Sequence, residues 1–271
     1  MQPFLQDAVK IAHEAGRLLA EFYRLRVGFE LKGDFDLVTE ADRASERLVV
    51  QRLLANYPDH SIVAEEGGGR EGSSEYRWFV DPLDGTTNFA HGYPAFNVTL
   101  GLARGDEMIA GVVYDPLREE MFAAEKGSGA YLNDQKIRVS SAKRLADSLV
   151  STGFPSRKRD QNINIHFYHQ LAMSTHGVRR GGSAALDLSY VACGRLDGFW
   201  EFGLKPWDLA AGTLLVSEAG GRVSDMRGAP HTLQSADLLA DNGAVHGETV
   251  ELFGDIFAGK FRFPMPTIIP S

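Results

Sequence analysis

Residues 4–23 carry apolar side chains at Leu5, Ala8, Ala12, Ala15, Leu19 and Phe22. That three-to-four spacing predicts an amphipathic helix. A second helix is predicted over 39–56, with Leu48, Val49, Leu53 and Leu54 turned inward. Between them "VGFELKGDFD" reads as a polar connection. The short runs "SIVAEE" and "RWFVD" end in acids and read as strands. Five further runs follow closely, "FNVTLGLARG", "MIAGVVYDP", "EMFAAEKG", "GAYLND" and "KIRVS", with turn residues between them. Such spacing predicts an antiparallel meander.

The pattern changes after about residue 145. "LVSTGF" reads as strand, 162–176 as helix, "GVRR" as strand, and 184–193 as helix closed by Gly194. "RLDGFWE" is strand, 208–219 helix closed by Gly220 and Gly221, "RVSD" and "LLADN" strands, and 247–258 helix. Strands alternating with helices predict a layered α/β arrangement. A boundary near 140–148 divides an N-terminal lobe, 1–144, from a C-terminal lobe, 145–271, with one cleft between them.

The chain's 271 residues suffice for one large domain or two joined lobes. Its 44% hydrophobic and 24% charged residues fit a globular protein. A net charge of −8 argues against nucleic acid as a partner. It leaves room for an anionic substrate, because bound cations reverse the local field. Cys193 is the only cysteine, so no intramolecular disulfide and no cysteine-rich zinc site is expected. The first residues lack the basic and apolar regions of a signal peptide, and no apolar run approaches the ~20 residues of a membrane helix. The expectation is a cytoplasmic protein with no membrane partner.

The acids change the picture most. In "FVDPLDGTTNF" Asp81 follows an apolar strand, and Pro82 keeps it extended at the strand end. Leu83 and Asp84 then turn, Gly85 permits the bend, and Thr86 and Thr87 open a short helix. A helix start offers N–H groups to an anion. Glu65 and Glu66 end another strand, Asp208 follows Trp207 at the start of an apolar helix, and Asp42 lies in the first turn of the second helix. Each has a plainer reading: Thr39 with Asp42 fits a capping box, Asp208 fits a helix cap, and Glu65 with Glu66 fits a solvated edge. Together they suit a hard cation such as Mg²⁺, which takes oxygen ligands. No HExxH, EF-hand, Walker A or GxSxG pattern is present.

Four stretches, "DPLDGTTNF", "VAEEGG", "RGGSAALDLSYVACGRLDGFWE" and "PWDLAAGTLLVSEAGG", resemble the inositol monophosphatase family, over about residues 5–258. The resemblance implies a mixed α/β fold, a five-layered αβαβα sandwich, and Mg²⁺-dependent hydrolysis of a phosphate monoester by two to three ions. Glu65, Asp81 and the Leu83 carbonyl would hold the first ion, Asp81, Asp84 and Asp208 the second, and a weaker third would sit near Glu65. Asp42, Thr86 and Glu65 are the implied catalytic residues, with Thr86 and Asp42 orienting the attacking water. Asp84, Gly85, Thr86, Gly182, Ser183, Ala184, Glu201 and Asp208 would line the substrate, with Glu201 gripping hydroxyls. Lys32 would lie on a loop that covers the site in relatives.

The implied substrate is myo-inositol monophosphate or a related phosphorylated polyol or sugar. Fructose-1,6-bisphosphate, histidinol phosphate, NADP and nucleotide 3′-phosphate are alternatives. A homodimer, inhibition by Li⁺ and an added non-catalytic binding role are further implications. A haloacid-dehalogenase-type phosphatase fits less well: it places its second acid two positions after the first, where this chain has Leu83.

Overall fold

The computed structural model describes residues 3–26, 28–31, 37–154, 162–265 and 267. Lys32 lies outside these residues. The first helix, α1 (Pro3–Leu25), buries Leu5, Ala8, Ala12, Ala15 and Leu19 of the stripe read from the sequence, with Phe22 partly covered and Ile11 added to it. The second, α2 (Glu40–Asn56), starts after Thr39 and buries Val49 and Leu53, with Leu48 and Leu54 partly covered. Both lie on one face of a seven-stranded sheet ordered β3 (Ser61–Ala64), β4 (Tyr76–Asp84), β5 (Asn97–Arg104), β6 (Glu107–Asp115), β7 (Glu120–Glu125), β8 (Gly129–Leu132), β9 (Gln135–Lys136). The strands from β4 to β9 form the antiparallel meander, while β3 runs parallel to β4. The polar connection holds an unforeseen hairpin of β1 (Phe29–Leu31) and β2 (Leu37–Thr39). Three residues are too few to show an alternating pattern, which hides such strands from a sequence reading.

A second, five-stranded sheet is ordered β11 (Gly177–Arg179), β10 (Leu149–Thr152), β12 (Gly198–Phe202), β14 (Asp237–Asp241), β13 (Arg222–Ser224). Here β10 is parallel to both neighbours, and β14 is antiparallel to both of its own. Between the sheets lie α5 (Ala184–Ala192) and α6 (Pro206–Glu218). On the far face α4 (Asn164–Ser174) and α7 (His246–Phe257) pack Phe167, Leu171, Leu252 and Phe253 against Trp200 and Leu239. The order helix, sheet, helix, sheet, helix is the five-layered sandwich.

Position of α6 depends on a notch in the larger sheet. The helix is buried without a break from Leu209 to Val216, as a helix between two sheets must be. Gly101 and Gly111 pair across β5 and β6 beneath it. A Cβ on Gly101 would stand 2.6 Å from the Ala210 Cβ, and one on Gly111 2.8 Å from the Ala211 Cα. Bare backbone is what lets α6 sink against the sheet and brings Asp208, in its first turn, to the neighbourhood of β4. Gly111→Val should therefore destabilise the fold by about 1–3 kcal/mol through overpacking, despite valine's strand preference. A lower urea midpoint at constant m-value would show this, and an unchanged midpoint would mean that α6 does not rest on the notch.

Candidate active site

Strand β4 brings the first acids. It does not end at Asp81: it continues to Asp84, with a register shift against β5 between the two. Proline inside a strand is confined to such irregularities, because it cannot donate to the ladder. The bulge carries both aspartates past Pro82. Asp81 is 2% exposed and accepts the Leu83 N–H at 3.0 Å. The Ser45 hydroxyl, from α2, donates to the Pro82 carbonyl at 2.8 Å. Gly85 then turns with φ +93°, and a side chain there would strike the Ala95 carbonyl. Thr86 opens α3 (Thr86–Ala90), the short helix expected from the sequence.

Asp42 serves two neighbours at once. Its Oδ2 accepts the Thr39 N–H at 2.7 Å and the Thr39 hydroxyl at 2.6 Å, completing a capping box. Its Oδ1 stands 3.0 Å from the Thr86 Oγ1, which donates to it. The same hydroxyl is 3.0 Å from the Leu83 carbonyl. Capping and the proposed catalytic contact are thus functions of one carboxylate.

Asp84 ties the larger sheet to the start of α5. Its Oδ2 accepts from the Ser183 hydroxyl at 2.7 Å, the Asn97 amide at 3.0 Å and the Ala185 N–H at 2.9 Å. The Ser183 hydroxyl also accepts from Asn97 at 2.8 Å and from Leu186 N–H at 3.3 Å as the cap of α5. Its hydrogen and lone pairs are engaged, so the Gly182–Ser183–Ala184 turn offers a ligand mainly its backbone. Asn88 holds that turn from α3, donating to the Ala95 carbonyl at 2.7 Å and to the Gly181 carbonyl at 2.9 Å. Asp208 is the third residue of α6 and not its cap; it accepts the Lys205 N–H at 2.7 Å.

These carboxylates feel one another. Burial pushes the Asp81 carboxyl well above its ordinary range, and Glu65, Asp84 and Asp208 push it further, Glu65 also by a side-chain hydrogen bond. Burial raises Asp84 too, against the hydrogen bonds from Ser183, Asn97, Ala185 and Ala184. Asp208 is raised to about 7 by burial and by Asp84, while the Lys205 N–H and charge oppose the shift. Glu201, on β12, is raised by burial and then by Asp187, Asp208 and Asp84. The acid side and the proposed alcohol side therefore belong to one electrostatic neighbourhood. Among the described residues no three His, Cys, Asp or Glu side chains close around an ion as they stand. The donor set nonetheless fits a hard divalent cation: it is all oxygen, of one charge, buried at Asp81 and half-buried at Glu65, Asp84 and Asp208. A cavity of about 390 Å³ between α1 and β7–β8 contains none of these residues.

Sequence reasoning missed Asn97, Asn88, Ser45 and Asp187. Asn97 faces Asp84 only through the β4–β5 register. Asp187 lies in the first turn of α5, raised by burial and by Asp84. An acid inside the apolar run "SAALDLSYVA" was a usable signal.

Comparison with known proteins assigns the chain to a family. The model of the inositol monophosphatase family matches residues 1–257. The chain belongs to that family. Its relatives carry two names. The Nus factor SuhB of Pseudomonas aeruginosa is 47% identical over 250 residues, 89% of this chain and 92% of the relative. The inositol-1-monophosphatase of Mesorhizobium japonicum is 44% identical over 243 residues, 89% and 91%. The crystal structure of SuhB from Bartonella henselae superposes with a TM-score of 0.89 at 39% identity, covering 92% of this chain and 98% of that one. More distant family structures show staphylococcal SaIMPase-II bound to inositol monophosphate (TM-score 0.78, covering 93% and 95%) and to 2′AMP (0.79, 93% and 94%), both at 27% identity.

The raised acids predict how this family member responds to pH when stripped of metal. A carboxyl whose folded pKa exceeds its unfolded value stabilises the fold below the unfolded value, near 4, and loses that contribution as pH rises through the folded one, about 7 for Asp208. In chelator the Tm should fall between about pH 4 and 7, and Asp208→Asn should flatten the fall. A chelated wild-type melt indifferent to pH in that window would contradict the coupling.

Proposed function

We propose that this protein is a Mg²⁺-dependent phosphate monoester hydrolase, with inositol monophosphate as its first candidate substrate. The observation that carries the reading is the convergence of carboxylates from three segments, Asp81 and Asp84 on β4, Glu65 after β3 and Asp208 on α6, around Asp81, which is 2% exposed. Glu65, Asp81 and the Leu83 carbonyl would hold one ion, Asp81, Asp84 and Asp208 another, with a third near Glu65. Bound Mg²⁺ supplies neutralisation of the phosphate's charge and makes water acidic near neutral pH.

The chain's own groups then have defined tasks. The Thr86 hydroxyl has one hydrogen and two acceptors within reach, Asp42 and the Leu83 carbonyl. Were that carbonyl to hold an ion, the hydrogen would be left to Asp42. The Thr86 oxygen then accepts from the attacking water, and the proton passes toward the Asp42 carboxylate. N–H groups of Gly85 and Thr86 would hold phosphate oxygens at the turn. Glu201 and the Gly182–Ser183–Ala184 turn would face the alcohol. The 2′AMP and inositol monophosphate complexes of SaIMPase-II support a site tolerant of different polyols. The SuhB-named relatives favour a second, non-catalytic role alongside hydrolysis.

A panel of phosphate esters, read as kcat/KM from phosphate release, tests the activity and ranks the alcohols. Asp208→Asn should lower turnover by on the order of 10²-fold, about 3 kcal/mol. Near-wild-type turnover at saturating Mg²⁺ would remove Asp208 from the ligand set. Chiral, isotopically labelled phosphate ester should yield inverted inorganic phosphate, because water attacks directly in one displacement. Retention would make Asp81 a nucleophile.

A further inference from the structure

A second carboxylate on α2 has no task in this chemistry. Glu46 follows Asp42 by one turn on the same helix face and is 5% exposed. Its Oε2 accepts the Glu66 N–H at 2.7 Å, and its Oε1 accepts the Gly68 N–H at 2.8 Å. Both donors lie in the turn directly after Glu65. A Cβ on Gly68 would stand 2.7 Å from the Glu46 Oε1, so any side chain there would displace that carboxylate.

The far end of the same turn is fastened to β3. Ile62 N–H donates to the Arg70 carbonyl at 2.7 Å, Arg70 N–H donates to the Ile62 carbonyl at 2.8 Å, and Gly72 N–H donates to the Ser61 hydroxyl at 3.0 Å. The turn therefore spans two fixed points, the edge of β3 and α2. Burying a carboxylate costs several kcal/mol unless its charge is answered, and two backbone N–H groups answer this one. A leucine on this inward stripe would pack without that cost and would leave the turn untied.

We propose that Glu46 is a positioning residue for Glu65. Its carboxylate fixes the turn from which Glu65 reaches Asp81, so that α2 sets the Glu65 segment against the Asp81–Thr86 segment that Ser45 and Asp42 hold. The inference rests on the reading of Glu65 as a metal ligand. A glutamine at this position keeps the shape but turns an NH₂ group toward one of the two N–H donors.

The test is Glu46→Gln beside wild type, by thermal melts across a Mg²⁺ titration and by amide hydrogen exchange. The Mg²⁺ concentration giving half of the melting shift should rise about tenfold, amides of Glu66 and Gly68 should exchange faster, and kcat at saturating Mg²⁺ should stay within a few-fold of wild type. Gly68→Ala presses on the same carboxylate from the other side and should give the same signature, which keeps the test open if the glutamine variant does not fold. A lower Tm in chelator with an unchanged Mg²⁺ midpoint would make Glu46 merely structural and overturn the inference, leaving the metal reading intact. A wild-type melt without any Mg²⁺ response would overturn both.

Discussion

Like charges brought together out of water set the terms for everything around them. Burial raises Asp81, Asp84 and Asp208, and neighbouring carboxylates raise Asp81 and Asp208 further. Leaving an uncompensated charge buried costs about 3–5 kcal/mol, a large part of a domain's net stability. The fold answers part of that cost with hydrogen bonds: three donors on Asp84, two from Thr39 on Asp42, and one backbone N–H each on Asp81 and Asp208. What the protein does not answer is the repulsion itself. That residue of unfavourable energy is what a divalent cation would remove, and its removal would couple binding to folding.

The scaffold's regularities serve this gathering. Helix α2 reaches two segments through Asp42, Ser45 and Glu46, touching Thr86 and the Pro82 carbonyl in one and the turn after Glu65 in the other. On the other side α6 settles into the Gly101–Gly111 notch, and the start of α5 is capped by Ser183, whose hydroxyl also donates to Asp84. The acids thus come from strand, helix start and turn, each held by an element whose own placement is fixed by packing. Such support is what a site needs if its geometry is to survive thermal motion.

Much of the fold was legible because its helices are amphipathic over long stretches and its meander is punctuated by turn residues. The β1–β2 hairpin was not, since each strand is only three residues long. The bulge in β4 was not legible: proline after Asp81 read as the strand's end, but the strand resumes beyond it to Asp84. For the site, the motif acids were visible in sequence, while Asn97 and Asn88 were not, because their partners are set by strand register and by a loop 93 residues away. Glu46 was recoverable in principle. It sits at the inward spacing of Asp42, Val49 and Leu53, and an acid on an apolar stripe asks for a partner.

The account's central claim is that the buried acids form one cation-binding group. Anomalous scattering from crystals soaked in Mn²⁺, in place of Mg²⁺, tests it most directly. Peaks should fall among Glu65, Asp81, Asp84 and Asp208, with Asp81 common to two of them. Crystals with ordered side chains at these positions and no peak between them, at saturating Mn²⁺, would contradict it.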